Sequence, residues 1–565
     1  MTWSQTPPVN ARAWFRVLAG ILILCLGGAA VWLFVGAWDG RGYDLVIEHG
    51  RVFNGETWLP GNPRVGIRDG RIVKIGRLWG AKAPQWISAR GMVVSPGFID
   101  THVHIESSMG TQQPLRAPNF IRMGATTLIT GNCGISHKRM DEVLRGLDRQ
   151  GGQLNVATLV GHKTLRELTM GSGSQGSPSR EQMAEMIQRL ELGLEAGALG
   201  FSTGLEYSPG IFASQQEIVA LCRAAGRKGG LYATHMRNEG ASLRTSLEEA
   251  VETARQANVP LHISHLKYAS PKHWGEMLEV LAWLDAQRPK LPGLTADAYA
   301  YDASSSSLDL LLPETYRGFK GNRRALLKDP QEVLTLSKGI LEQLRVQGFQ
   351  DFSFARIVWS RNPAIRGMTL DQVPPNVFPG APETQRLTTL DCSPRVREQL
   401  RTLLGFFGEG GGQMIYHVIS DRDTEAVFRD PHVCVGSDSS VRAEDNLTSH
   451  PRGCGNFPRV LGHLVRERGS VGLEQALIGM TSLPARIFGL RDRGRLVPGY
   501  AADIVVFDPR AIADRATYAS PLLAPEGIQD VIVNGRVVLE AGRIHNIFPG
   551  RALRRAIAGP PKRLP

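Results

Sequence analysis

G-F-I-D-T-H-V-H, residues 97 to 104, is the stretch from which the rest of the chain is read. Met92, Val93, Val94 and a Ser95-Pro96-Gly97 turn lead into it, and two histidines one residue apart close it. Alternate side chains of an extended strand point the same way. His102 and His104 can therefore approach one metal ion together, with Asp100 and Thr101 placed to orient them. Alone, the pair is equally consistent with ordinary loop histidines.

Seven further segments give it meaning. They are residues 125–134 (ATTLITGNCG), 155–162 (NVATLVGH), 198–207 (ALGFSTGLEY), 231–237 (LYATHMR), 261–267 (LHISHLK), 294–301 (LTADAYAY) and 432–440 (HVCVGSDSS). Each is an apolar run that ends in polar or metal-competent residues. Amphipathic stretches such as 179–196, 215–228 and 246–257 lie between several of them. Strands alternating with helices predict a parallel sheet with helices outside it. Eight such units predict an α/β fold of the (β/α)8 TIM-like barrel type, whose site gathers at the C-terminal strand ends.

The barrel is expected over residues 96–490. One interval, about 302–412, is too long for a crossover, carries a strand-like run at 352–359 and is expected to be an inserted subdomain near the barrel mouth. Before the barrel, 43–47, 65–67 and 71–75 read as short strands joined by turn signals at His49-Gly50 and Asp69-Gly70. Similar runs at 503–507, 531–533 and 536–539 surround Asn534-Gly535. Residues 43–95 and 495–550 are therefore expected to build one small β domain. A basic C-terminal tail is expected over 551–565.

The net charge is +12, from 65 Lys and Arg against 53 Asp and Glu. No basic run is interleaved with aromatics, so no nucleic-acid partner is expected. The six cysteines are scattered and make no disulfide framework. From Val17 to Trp38 no charged residue occurs, long enough for a helix to cross a bilayer core of about 30 Å. Arg12 and Arg16 precede this run, which the positive-inside rule reads as a cytoplasmic tail over 1–16, a transmembrane anchor over 17–38 and an extracytoplasmic catalytic domain. Secretion after cleavage near Val35-Gly36-Ala37 is the other reading.

The strand ends offer His102, His104, Cys133, His235, His265 and Asp438 as donors. A mixed imidazole, thiolate and carboxylate set suits Zn²⁺. Glycines flank Cys133 and allow close backbone approach. Beside a metal, Asp438 can take a proton from water and pass it to a leaving amine.

From about Tyr43 to Ile544 the chain resembles the D-aminoacylase (N-acyl-D-amino-acid deacylase) group of the amidohydrolase superfamily. The resemblance rests on GFIDTHVH, GNCGIS (131–136), GALGFSTGLEYSPG (197–210), ATHMRNEG (233–240), ISHLK (263–267), GSDSS (436–440), HPRGCGNFPRVLG (450–462) and MTSLPARIFGL with DRGRLVPGYAADIVVFDP. It implies a zinc amide hydrolase with a tight metal site on Cys133, His235 and His265, and a weaker second position on His102, His104 and Asp438. It further implies that Arg452 holds the substrate carboxylate while Lys267, Tyr299 and Ser305 line the pocket. Many superfamily relatives bridge metals with a carboxylated lysine from the fourth strand. Here that strand ends in Ser202-Thr203-Gly204, and Cys133 takes the bridging place.

Two features depart from the group's pattern. Ile105-Glu106-Ser107-Ser108 follows the second histidine, a string similar to adenine deaminases, and Ala300 replaces a proline. A nucleobase or cyclic-amide hydrolase of the same superfamily therefore stands as an alternative, as does a membrane-tethered binding protein without catalysis. The acyl group, the side chain preferred and the oligomeric state are not specified by the sequence.

Overall fold

The computed structural model describes residues 42–110, 113–171, 174–375, 377–382, 384–442 and 449–555. The expected anchor at 17–38 lies outside them. Among the described residues, no helix is long and apolar enough to cross a membrane.

The eight expected strands are present. Barrel strands β1 to β8 are Phe98–Asp100, Ala125–Thr130, Asn155–Thr158 (continued by Val160–Gly161), Gly200–Gly204, Leu231–His235, Leu261–Ile263, Thr295–Ala298 and Val433–Val435. All their pairings are parallel, β1 to β3 in one ladder and the continuation of β3 through β8 in another. The Leu199 amide donates to the Thr158 carbonyl (2.8 Å) and joins the ladders on one side. On the other, the Asp438 amide reaches the His102 carbonyl and the His104 amide reaches Ser439, each at 2.8 Å. The barrel is thus closed at the two segments richest in candidate donors. Ile99, Ile129, Ala157, Leu199 and Ala233 fill its interior, with Phe488 and Leu490 packed against them.

The small domain is built from both ends of the chain, because Val93–Pro96 pairs antiparallel with Ile504–Phe507. Asp69-Gly70 and Asn534-Gly535 each turn a hairpin with two positive φ angles (52° and 74°; 47° and 76°), the conformation of a type I′ turn. His49-Gly50 does not. Its flanking strands, Leu45–Glu48 and Arg51–Val52, belong to different sheets. The expected Ser95-Pro96-Gly97 turn is also corrected, since Ser95 and Pro96 continue a strand and the chain runs from the small domain into β1. Gly97 is required at that junction because a Cβ there would lie 2.2 Å from Thr126.

The insert has a core of its own around Leu336, Leu400, Leu403, Phe406 and Phe407. Its sheet places Gln413–His417 between Ala303–Ser307 and Ala355–Trp359. It therefore runs past the expected end near Gly412. Residues 551–555 are not a free tail: Ala552 bridges Val156, the Arg555 amide bonds to the Gly197 carbonyl and Arg554 pairs with Asp148.

Candidate metal and substrate site

The six donors expected from the sequence converge at the C-terminal mouth of the barrel. Cys133 Sγ lies 3.3 Å from His102 Nε2, 3.6 Å from His265 Nε2 and 3.8 Å from His235 Nδ1. His235 Nδ1 and His265 Nε2 are 2.9 Å apart. Asp438 Oδ1 is 3.2 Å from His104 Nε2 and 3.8 Å from His102 Nε2. Two overlapping groups, Cys133 with His235 and His265, and Cys133 with His102 and His104, bring their ligand atoms within 4.8 Å of one another.

Local backbone conformation delivers these atoms. Cys133, His265 and Asp438 have φ of 50°, 36° and 49°, left-handed values that cost energy outside glycine and cluster where function demands them. The Cys133 loop is pinned from three sides. Glu106 Oε1 accepts from the Thr130 hydroxyl (2.5 Å) and the Gly131 amide (2.8 Å). Ser202, at the end of β4, donates to the Gly131 carbonyl and accepts from the Gly134 amide (3.2 Å). A Cβ on Gly131 would strike the Leu159 carbonyl at 2.2 Å. The Ile105-Glu106 departure from the group's pattern thus has a structural task here, which is holding the cysteine loop.

The outward nitrogens of the histidines are engaged by residues that the sequence reading did not single out. Glu206 Oε2 is 3.0 Å from His235 Nε2, Glu239 Oε1 is 2.8 Å from His265 Nδ1, and Asp297 Oδ2 is 3.4 Å from His102 Nδ1. A ligating imidazole keeps one nitrogen for the metal when a carboxylate holds the other. All three carboxylates lie one to five residues beyond or within the quoted strand ends (GLEY, RNEG, TADAY), which is the signal that could have found them. Asp100, expected to orient the imidazoles, instead accepts from the backbone amides of His102 (3.3 Å) and Ser437 (2.8 Å) and so locks β1 to β8. Burial pushes its carboxyl up to about 7. Burial also opposes ionisation of Cys133, but His102, His104 and His235 together outweigh it and hold the thiol well below its ordinary range.

All the donors except the fully buried His102 line a cavity of about 790 Å³, within the size range of small-molecule sites. Arg452 reaches Asp438 Oδ2 at 2.9 Å through Nη2, and its guanidinium lies 4.4 Å from the Tyr299 ring centroid. Arg452 Nε and Nη1 and the Tyr299 hydroxyl are buried and find no hydrogen-bond partner among the described residues. Lys267 also lines the cavity, but its ammonium is paired with Glu239 and sits 3.0 Å from His265 Nδ1. Ser305 enters from the insert, donating to the Met414 carbonyl and accepting from Gln413, both at 3.0 Å. Tyr207, another residue not foreseen, places its ring 4.6 Å from that of His235.

The donor set fits zinc: one thiolate and two inward imidazole nitrogens, with a carboxylate and two more imidazoles alongside. A closed (β/α)8 barrel carrying such a cluster at its mouth, with a satellite β domain made from both termini, defines a metal-dependent hydrolase scaffold. Residues 85–358 and 410–539 match the model of the amidohydrolase family, and the chain belongs to that family. Within it, the chain is 34% identical over 549 residues to N-acyl-D-glutamate deacylase of Alcaligenes xylosoxydans xylosoxydans, covering 92% of this chain and 98% of that protein. D-aminoacylase of the same organism is 31% identical over 544 residues, covering 92% and 99%. The crystal structure of N-acyl-D-glutamate deacylase from Bordetella bronchiseptica, complexed with zinc and a phosphonate mimic of the reaction's tetrahedral intermediate, aligns with a TM-score of 0.73. Its identity is 31%, covering 91% of this chain and 100% of that one.

Proposed function

We propose that this chain hydrolyses N-acyl-D-amino acids to a carboxylic acid and a free D-amino acid. The observation that carries the reading is one cavity holding Cys133, His235, His265, Asp438 and an Arg452 that is only partly partnered among the described residues. Cys133, His235 and His265 would hold a zinc ion, which would supply Lewis-acid polarisation of the acyl carbonyl and lower the pKa of water. His102, His104 and Asp438 form a second, weaker position.

Arg452 takes the substrate's α-carboxylate in a fork of two hydrogen bonds, with the Tyr299 hydroxyl as a further donor and Lys267 and Ser305 lining the same pocket. Engaging that carboxylate draws Arg452 from Asp438, its present partner at 2.9 Å. Asp438 then accepts the proton of the attacking water and returns it to the amine nitrogen as the C–N bond breaks. Glu206 and Glu239 hold the imidazoles in place throughout. The D hand and the amino-acid substrate are inferred from the relatives' activities. A guanidinium with two nitrogens unpaired among the described residues supports a carboxylate substrate over a neutral nucleobase.

Of the chain as a whole we infer a single-pass membrane protein whose catalytic domain faces outward. The uncharged run from Val17 to Trp38 behind Arg12 and Arg16 supports this. Detection of the intact N-terminus in washed membranes tests it, and a mature chain beginning near Trp38 counts against it.

The functional test is a screen of paired N-acyl-D- and N-acyl-L-amino acids with the zinc-loaded protein, reading free amine. Release from D substrates, with little from L substrates and no ammonia from adenine, is the expected result. Ammonia from nucleobases without amine release would replace this reading by the alternative, and no turnover of any amide by zinc-loaded protein would favour a binding protein.

A further inference from the structure

A second chamber of about 220 Å³ adjoins the catalytic cavity. The two share Glu206, Glu239, Lys267, Ser304, Leu310 and Arg317 as lining. Beyond that shared wall the chamber is predominantly apolar, bounded by Leu311, Ile340, Leu344 and Phe352 of the insert and by Ala269 after β6, with Glu314 and Glu342 also on its wall. The charged residues at the junction are mutually engaged, Lys267 with Glu239 and Arg317 with Glu206 (3.7 Å), so they present ion pairs at the passage.

We infer that this chamber receives the acyl chain of the substrate and that the preferred acyl group is a linear aliphatic chain longer than acetyl. The inference rests on the deacylase reading and extends it to the acyl group. Its geometry is set by the order of strands round the barrel. Asp438, paired with Arg452, meets His102 and His104, which follow β1 beside β8, and this places the substrate's carboxylate and amine on that side. Glu206 and Glu239 touch His235 and His265, after β5 and β6 across the barrel. These same two glutamates wall the chamber, which therefore begins one side chain beyond the Cys133, His235 and His265 donors. An amide carbonyl placed at those donors with its nitrogen towards Asp438 directs its acyl substituent towards Leu310 and the chamber. Apolar lining rewards a hydrocarbon there, while an acidic or polar side chain gains nothing from Ile340, Leu344 and Phe352.

The experiment compares N-acetyl, N-butanoyl and N-hexanoyl derivatives of one D-amino acid with the zinc-loaded full chain, alongside N-acetyl D-amino acids of increasing straight-chain side-chain length. We expect kcat/KM to rise about two- to fourfold per added acyl methylene. The variant Ala269→Phe, which fills the chamber, should lower the hexanoyl-to-acetyl ratio by about tenfold. Calorimetric titration of hexanoate and acetate into the zinc-loaded wild-type protein gives a readout independent of turnover, with hexanoate expected to bind more tightly. Cleavage of acetyl substrates with no gain along the acyl series overturns the acyl chamber and leaves the deacylase reading standing. A gain that follows the side chain instead of the acyl group overturns it equally. If no N-acyl amino acid is cleaved, the deacylase reading fails, and hexanoate binding that is weakened in Ala269→Phe decides the chamber by itself: its presence supports an aliphatic-acid site, its absence removes it.

Discussion

The two halves of the donor ring are built differently. At β5 and β6, His235 and His265 have their outer nitrogens on Glu206 and Glu239 at 3.0 and 2.8 Å, and both histidines are almost completely buried. At β1 and β8, His104 is 25% exposed at its side chain and meets Asp438, which is shared with Arg452. The first half has little to exchange, because Glu206 and Glu239 are each held in ion pairs with the imidazoles and with Arg317 and Lys267. In the proposed reaction the second changes partners, because a carboxylate at Arg452 displaces Asp438. A preorganised half suits holding a metal, and an exchanging half suits moving a proton and gripping substrate.

The sharpest way to break this contrast is Asp438→Asn. It should cost about 10²- to 10⁴-fold in kcat while leaving one equivalent of zinc bound, read by turnover and metal analysis on the same sample. Loss of that zinc would show that both halves hold the metal jointly. Arg452→Met should reduce kcat/KM by about 10- to 150-fold, the equivalent of losing a charged hydrogen-bond partner, with most of the change in KM and zinc content unaltered. Glu206→Gln addresses the other half and should weaken zinc affinity by about 10- to 100-fold, measured by competition with a chelator.

The smallest effect is one of pH. Burial alone would raise Asp297 and Glu239, but His102 and His262 together outweigh it at Asp297, and His265, Lys267 and His235 together at Glu239, so both carboxyls are held well below the ordinary range. A depressed carboxyl stabilises the fold above its unfolded value of about 4 and loses that contribution as the pH falls through its folded value. The melting temperature of the metal-free protein should therefore drop on acidification below about pH 4. Replacing Asp297 with Asn should remove part of that slope, a difference of about 2 to 4 °C. A slope identical to wild type would mean that the carboxylate carries none of it.

What could be read in advance follows from what is local. The eight barrel strands end in polar residues because the closed barrel presents its C-terminal mouth to ligand, and that pattern repeats along the chain from GFIDTHVH to GSDSS. Asp69-Gly70 and Asn534-Gly535 declare their hairpins in two residues each. Glu206, Glu239 and Asp297 stand at or beside legible strand ends, but which histidine each supports was not legible, because each acts on a histidine from another strand or loop at a distance only the closed barrel defines. The four-serine run at 304–307 has little strand propensity, and it extends because Gln413–His417 pairs with it across more than a hundred residues. Ser95-Pro96 read as a turn on composition, yet the partner strand at 504–507 holds it extended.

X-ray absorption at the zinc edge, on protein loaded with one equivalent of zinc, tests most directly whether the metal sits on Cys133, His235 and His265. One sulfur neighbour at about 2.3 Å together with imidazole nitrogens near 2.0 Å is the expected spectrum. A first shell of nitrogen and oxygen alone would place the metal away from Cys133 and contradict the assignment.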